Sequence, residues 1–120
     1  MVAPVLATGN TAVVVAAQDR PLPAVSLTEV LATSDVPGGV LNVLTGFTAE
    51  LAPWLASHRD VNALDLTGAA AGARADLRAA AADNVKRVYV PRATDWTAKP
   101  DLSRLRAFVE TKTVWHPIGV

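Results

Sequence analysis

The feature that most constrains the fold is a regular alternation of short strand-like segments with helix-favouring stretches. Residues 12–16 form a continuous apolar run centred on three valines, and three more strand-like segments lie at residues 40–44, 63–67 and 85–90. Continuous apolar runs are typical of strands that are covered on both faces of a parallel sheet. We therefore predict one strand in each of the four segments.

Helix-favouring sequence fills the intervals between these segments. A helix is predicted to begin near Ser26, with Glu29 in its first turn, and to end before Pro37. Residues 49–57 and the alanine-rich residues 69–83 predict two further helices. Helices between successive strands imply right-handed crossovers. We therefore predict an α/β fold with a partial Rossmann-like parallel sheet of about four strands and flanking helices.

Composition excludes several classes of function. The 120 residues carry eleven basic and eleven acidic side chains, which removes the electrostatic case for a nucleic-acid or membrane partner. The chain has no cysteine, and this excludes disulfides, cysteine-bound metal and thiol catalysis. Its longest wholly apolar run, residues 12–17, is far shorter than the ~20 residues of a membrane helix. We expect a soluble, cytoplasmic protein.

The histidines and serines form no recognisable catalytic or metal-binding pattern. No carboxylate at ligand spacing accompanies His58 or His116, so we predict no metal site. His58 is expected to close a helix, because an imidazole suits the carbonyl end, and His116 is expected to lie in an exposed tail. The serines have no neighbouring His/Asp pattern that indicates a triad. No catalytic residue is therefore predicted.

Five short motifs carry a resemblance to a known family. They are Val-Ala-Pro-Val-Leu-Ala-Thr-Gly-Asn-Thr-Ala-Val-Val at residues 2–14, Pro-Gly-Gly-Val-Leu-Asn-Val-Leu-Thr-Gly at 37–46, Asp-Val-Asn-Ala-Leu-Asp-Leu-Thr-Gly at 60–68, Lys-Arg-Val-Tyr-Val at 86–90 and Phe-Val-Glu-Thr-Lys-Thr-Val at 108–114. Together they resemble the aldehyde dehydrogenase family, and the resemblance covers nearly the whole chain. The resemblance implies a domain that binds NAD or NADP. The residues with which the family contacts this cofactor can be compared with the residues of this sequence.

The cofactor-binding positions that the resemblance implies are altered here. Val15 stands where the family has a lysine and Gln18 where it has a glutamate, so the main contacts to the adenosine ribose are lost. In the phosphate-facing turn, Ala69 replaces a serine. Thr67, Gly68 and Gln18 remain as candidate cofactor-binding residues. We expect no cofactor, with NAD or NADP binding weakly at best.

Two interpretations of the turn after Thr67 stay open. Backbone N–H groups there could still admit a phosphate, because unpaired donors at the start of a helix favour an anion. Alternatively, Gly68 and Gly72 merely allow a helix to pack closely on a strand.

The catalytic groups that the resemblance implies are missing. Pro91 occupies the position of the general base, and proline can neither accept a proton nor donate a backbone hydrogen bond. The cysteine that would attack the aldehyde as a thiolate is absent. We expect no aldehyde oxidation by this chain alone.

The last motif resembles the C-terminal oligomerisation arm of the family. It follows Pro91 closely, where a complete member would continue into its catalytic domain, and Met1 stands inside what would be a helix of the complete enzyme. We expect a truncated member or a fragment of a longer gene. Residues 1–95 then form a partial cofactor domain, and residues 96–120 form a linker with an oligomerisation-like arm.

The arm is predicted to form a final strand over residues 108–115. Its unpaired backbone groups, together with Phe108, Val114 and Trp115, would be open to water and would form an interface. The expected partner is a second copy of the chain or a related aldehyde dehydrogenase. The alternative is that the strand folds back beside residues 85–90 in a monomer.

Two functional hypotheses follow. The first is a non-catalytic aldehyde-dehydrogenase-like module, a pseudoenzyme or fragment, that acts through self-association or by binding a related dehydrogenase. The alternative is the nicotinamide-nucleotide-binding portion of an NAD(P)-dependent aldehyde oxidoreductase whose catalysis is supplied by another chain. Val15, Gln18, Ala69 and Pro91 favour the first. A folded remnant without a selected role cannot be separated from a pseudoenzyme by sequence.

Overall fold

The computed structural model describes residues 1–90, 95, 97 and 102–119, in which helices and strands alternate. In chain order the elements are α1 (Val2–Ala7), β1 (Ala12–Val15), α2 (Leu22–Ala32), β2 (Leu41–Leu44), α3 (Thr48–Ser57), β3 (Ala63–Asp65), a 3₁₀ turn (Ala71–Ala73), α4 (Arg74–Ala82), β4 (Arg87–Tyr89) and α5 (Ser103–Ala107). The four predicted strands are all present, and so are the helices predicted over residues 49–57 and 69–83.

The strands form two parallel pairs. β1 pairs with β2, with Val13 opposite Asn42, and β3 pairs with β4, with Leu64 opposite Val88. In each pair a helix connects the two strands, as a parallel connection requires. The predicted α/β character is confirmed. Within the described residues, however, the strands are arranged as two two-stranded sheets and not as one hydrogen-bonded sheet of four.

The second helix begins earlier than predicted. α2 starts at Leu22, with Pro21 as its N-cap and Pro23 in its first turn, so the predicted start near Ser26 is wrong. Proline suits the first turn because its φ is already helical and its missing N–H has no partner there in any helix. The two prolines therefore initiate the helix that they were expected to precede.

The predicted final strand over residues 108–115 is also wrong. Phe108 is the C-cap of α5, and residues 110–119 have no regular secondary structure. A strand is stable in water only when its backbone groups pair with a neighbouring strand. No strand pairs with residues 110–119 within the described part of the chain, so the β-branched composition of this segment is not sufficient to make it a strand.

The hydrophobic core lies between the second strand pair and the helices α3 and α4. Its buried cluster is Ala56, Leu66 and Leu77. Partly buried apolar residues surround this cluster, namely Ala52, Leu64, Ala69, Ala80 and Val88. Full burial of a leucine stabilises a fold by about 1.5–3 kcal/mol, so this small cluster carries much of the apolar stabilisation.

None of the helices in the described part of the chain is long and apolar enough to cross a membrane.

Candidate functional site

The candidate site lies where β3 ends and the chain turns towards α4. Asp65 is the last residue of β3, and its Oδ1 accepts hydrogen bonds from the backbone N–H of Thr67, at 2.9 Å, and from the Thr67 hydroxyl. A carboxylate that binds the backbone two residues further on is a common way to stabilise a turn. The Thr67 hydroxyl is thereby fixed in place, and its only proton is already donated.

Arg104 on α5 reaches the same group of side chains. Its Nη1 lies 2.6 Å from Asp65 Oδ2, and its Nη2 donates to the Thr67 hydroxyl oxygen at 3.3 Å. The Arg104 and Asp65 side chains are only 13% and 15% exposed. Two opposite charges in such a sheltered position stabilise each other more than a surface pair does, because less water screens them.

Aromatic contacts hold α5 against the end of β4. The Arg104 guanidinium lies 5.0 Å from the centroid of the Tyr89 ring, a distance at which a cation is attracted to the ring face. Tyr89 also packs on Phe108, with centroids 5.9 Å apart and planes inclined by 59°. The Tyr89 hydroxyl lies 3.3 Å from Ser103 Oγ. The C-terminal helix α5 is therefore held against the second strand pair by an ion pair, aromatic contacts and a contact between two hydroxyl groups.

A second arginine, Arg74, also donates hydrogen bonds to this turn. Arg74, the first residue of α4, donates from Nε to the carbonyl of Ala69 at 3.0 Å and from Nη2 to the carbonyl of Thr67 at 3.4 Å. These bonds use donors of Arg74 to satisfy carbonyl groups within the turn. Arg74 therefore adds positive charge beside the turn while acting as a structural brace.

The surroundings of Gly68 and Gly72 bear on the two interpretations of the turn. A Cβ on Gly68 or on Gly72 would meet no atom of the described residues within 4 Å. Among these residues, no helix packs closely enough on a strand at this turn to require glycine. Open space beside Gly68 is compatible with a ligand at this turn.

The other predicted cofactor-binding residue lies in the first strand pair. Gln18 is exposed in the turn that follows β1, and its side chain makes no hydrogen bond with another described residue. Val15, at the lysine position of the family, is the half-buried last residue of β1. Pro91, at the general-base position, lies outside the described residues.

The three predicted interface residues have different environments. Phe108 is 6% exposed, so the expectation that it is open to water is wrong: the chain turns inward at α5 and Phe108 packs on Tyr89. Val114 and Trp115 are 69% and 84% exposed, as expected for an interface. The role of the three residues in an interface stays a prediction.

Both histidines have the predicted environments. His58 is the C-cap of α3, and its Nδ1 accepts a hydrogen bond from the backbone N–H of Asp60 at 3.2 Å. His116 is exposed in the segment without regular structure. Close to the candidate site, burial lowers the pKa of the Met1 amino group; the charge of Arg104 lowers it further, and Asp65 acts in the opposite direction.

Sequence reasoning missed the residues that organise the site. Arg74 and Arg104 belong to no motif of the resemblance, and Asp65 and Tyr89 lie within two of its motifs without an assigned role. One signal was available: Asp65 is a charged residue inside an otherwise apolar strand, and a carboxylate in that position needs a partner. The identity of the partner was not accessible, because Arg104 is 39 residues away in the chain.

Comparison with known proteins identifies the family. The sequence model that describes the aldehyde dehydrogenase family matches residues 1–91. The chain belongs to the aldehyde dehydrogenase family. No solved structure matches it.

Three relatives illustrate how the match is distributed. Mitochondrial aldehyde dehydrogenase of Leishmania tarentolae is 41% identical over 85 residues, which are 71% of this chain and 17% of that protein. The NADP/NAD-dependent aldehyde dehydrogenase PuuC of Escherichia coli is 36% identical over 87 residues, 72% of this chain and 18% of that protein. An aldehyde dehydrogenase-like protein of Schizosaccharomyces pombe is 31% identical over 119 residues, 99% of this chain and 23% of that protein. The chain thus spans less than a quarter of the length of each.

The comparison with these relatives corrects the expectation about the cofactor. The prediction of no cofactor is wrong at the level of the family, because the Escherichia coli relative is by its name dependent on NADP or NAD. The loss of individual contacts at Val15 and Gln18 was not sufficient ground for that prediction.

Proposed function

We propose that this chain is a non-catalytic aldehyde-dehydrogenase-like module that acts by associating with a second chain, either its own copy or a related dehydrogenase. The absence of cysteine supports the non-catalytic part, because no thiol is available to attack an aldehyde. Pro91 at the general-base position supports it further.

The observation that carries the association is the apolar tail. Val114, Trp115 and Ile118 are 69%, 84% and 92% exposed, and all three lie in residues 110–119, which have no regular structure. Several large apolar side chains close together at a surface mark an interaction site more often than isolated ones do. A partner that covers them would remove this apolar surface from water and would order the segment.

Light scattering of the purified chain tests the association. We expect a dimer or larger species, and we expect Trp115→Ser combined with Ile118→Ser to convert it to a monomer. Trp54→Ser is the matched control, because Trp54 is a similarly exposed tryptophan, at 77%, on α3. If the unaltered chain is a monomer and does not co-elute with a related aldehyde dehydrogenase, the proposal is wrong.

A second measurement tests the non-catalytic part. We expect no reduction of NAD or NADP when the purified chain is mixed with aliphatic or aromatic aldehydes. Turnover that persists through repurification, and that scales with the concentration of this chain, would contradict the proposal.

A second candidate function is nicotinamide-nucleotide binding, with catalysis supplied by another chain. The specific observation in its favour is that no described residue beyond its chain neighbours lies within 4 Å of a Cβ on Gly68, next to Thr67 and at the carboxyl end of a parallel strand pair. Ligands of open α/β sheets bind at that end of the strands. The name of the Escherichia coli relative, with its NADP/NAD dependence, supports the same assignment.

Calorimetric titration with NAD and NADP tests this candidate. We expect measurable binding that Gly68→Val abolishes by filling the space above the turn. Gly38→Val is the matched control, since a Cβ at Gly38 also meets no atom within 4 Å but lies in a different loop. Equal affinities in the two variants would exclude the Gly68 turn as the binding site.

A further inference from the structure

We propose that Arg104 is a positioning residue that sets the electrostatic character of the Thr67–Gly68 turn. By pairing with Asp65, it neutralises the carboxylate at the end of β3 and so makes this turn compatible with an anionic phosphate ligand. The inference rests on the proposed nucleotide binding. It adds that the C-terminal helix α5 is part of the site, although α5 lies outside residues 1–91, which match the family.

Asp65 places a fixed negative charge at the turn. Its carboxylate lies at the base of the turn and accepts both the backbone N–H and the hydroxyl of Thr67. A phosphate above Gly68 would therefore approach a fixed negative charge. Like charges at short range in a sheltered site repel strongly, so this turn alone is unfavourable for an anion.

Arg104 compensates the negative charge of Asp65. Arg104 lies 2.6 Å from the Asp65 carboxylate, with both side chains largely shielded from water. Arg74 is a second guanidinium at the turn, but it donates to the carbonyls of Thr67 and Ala69 and not to Asp65. Among the described side chains, Arg104 is thus the one that forms an ion pair with Asp65. It acts on the ligand through Asp65.

The Thr67 hydroxyl is already hydrogen-bonded to both charged side chains. Its proton is donated to Asp65, and its oxygen accepts from Arg104 Nη2 at 3.3 Å. A phosphate oxygen is an acceptor and needs a donor, so this hydroxyl has no proton to offer. Thr67 therefore orders the turn, while the backbone of Gly68 and the space above it are left to the ligand.

The proposal predicts that the affinity for an anionic ligand increases as the net charge at the turn becomes more positive. Asp65→Asn removes the negative charge and should bind NAD, NADP and pyrophosphate more tightly than the unaltered chain. Arg104→Gln removes the guanidinium that pairs with Asp65 and should bind them about five- to tenfold more weakly. The double variant removes both charges and should return close to the unaltered affinity. These differences should decrease as the ionic strength rises.

A purely structural role for the ion pair predicts a different order. If the pair only holds α5 in place, then Asp65→Asn, Arg104→Gln and the double variant should all weaken binding. Arg106→Gln is the matched control, because Arg106 lies on the same helix and is exposed. Hydrogen exchange of residues 103–109 in each variant reports whether α5 stays docked.

The outcomes separate this inference from the function on which it rests. Rescue of Arg104→Gln by Asp65→Asn, with Arg106→Gln unchanged, supports the inference. Equal affinities in the unaltered chain and Arg104→Gln overturn it and leave nucleotide binding standing. Tighter binding by Arg104→Gln also overturns it, because α5 would then compete with the ligand. If the unaltered chain and all variants fail to bind the three probes, nucleotide binding is itself wrong, and the inference is wrong with it.

Discussion

The two strand pairs of this molecule have the same local architecture but very different surroundings. Beside the β3–β4 pair, α4 packs on β4 and on α3, and Ala56, Leu66 and Leu77 form a buried cluster there. In the β1–β2 half, α2 contributes no buried residue. A repeated strand–helix–strand pattern therefore does not by itself produce a core. The core forms where the helices α3 and α4 pack on each other beside the strands.

The same contrast applies to the polar groups at the carboxyl ends of the strands. After β3, Asp65 and Thr67 are joined to Arg104 in one network. After β1, Gln18 is exposed and makes no side-chain hydrogen bond with the described residues. Four substitutions test how far this contrast between the two halves extends.

Leu77→Ala should have the largest effect on stability. Leu77 is 5% exposed within the core cluster, so its truncation should lower the free energy of unfolding by about 3–5 kcal/mol. Leu22→Ala is the matched control, since Leu22 is 73% exposed on α2, and its effect should stay within about 0.5 kcal/mol. Urea denaturation measures both. Similar losses would mean that the two halves are equally well packed.

Phe108→Ala tests whether the C-terminal helix belongs to the better packed half. Phe108 is 6% exposed and packs on Tyr89, so we expect a loss of about 3 kcal/mol in the free energy of unfolding. Trp115→Ala, at an 84% exposed aromatic residue in the same tail, should leave the stability of the monomer unchanged. The reverse order would show that the tail is held by Trp115 and not by Phe108.

Arg104→Gln should lower the free energy of unfolding by about 2 kcal/mol, because it leaves the shielded carboxylate of Asp65 without its cation. Adding Asp65→Asn should recover part of that loss, since neither charge is then left unpaired. Thermal unfolding of the two single variants and the double variant gives the coupling energy. Strict additivity of the two substitutions would mean that the pair contributes nothing.

Gln18→Glu tests the half of the molecule that contains β1 and β2. Among the four substitutions it should change the measured free energy least. A carboxylate accepts from ribose hydroxyls more strongly than an amide does, so we expect the affinity for NAD to rise by about fivefold, roughly 1 kcal/mol. Gln18 is exposed, and the melting temperature should not change. An unchanged dissociation constant would place the end of β1 outside the nucleotide site.

The sequence predicted regular elements best where composition and spacing agreed. The three valines of β1 and the alanine-rich segment around α4 were assigned correctly. The start of α2 was missed because proline can initiate a helix as well as interrupt one, and the local pattern around Ser26 does not distinguish the two roles. The candidate turn at Thr67 and Gly68 was found by resemblance, but the ion pair that organises it was not.

The sequence by itself determined that this is an α/β chain with parallel strands, that it lacks a thiol nucleophile, and that it resembles the aldehyde dehydrogenases. Each of these follows from local patterns or from residue identity. The tertiary structure supplies the pairing of Arg104 with Asp65, the burial of Phe108 beside an exposed Trp115, and the surroundings of Gly68, where no described residue beyond its chain neighbours lies within 4 Å of a Cβ. These outcomes depend on which distant segments meet, and a residue's own neighbours in the chain do not specify the partner that neutralises its charge or covers its surface.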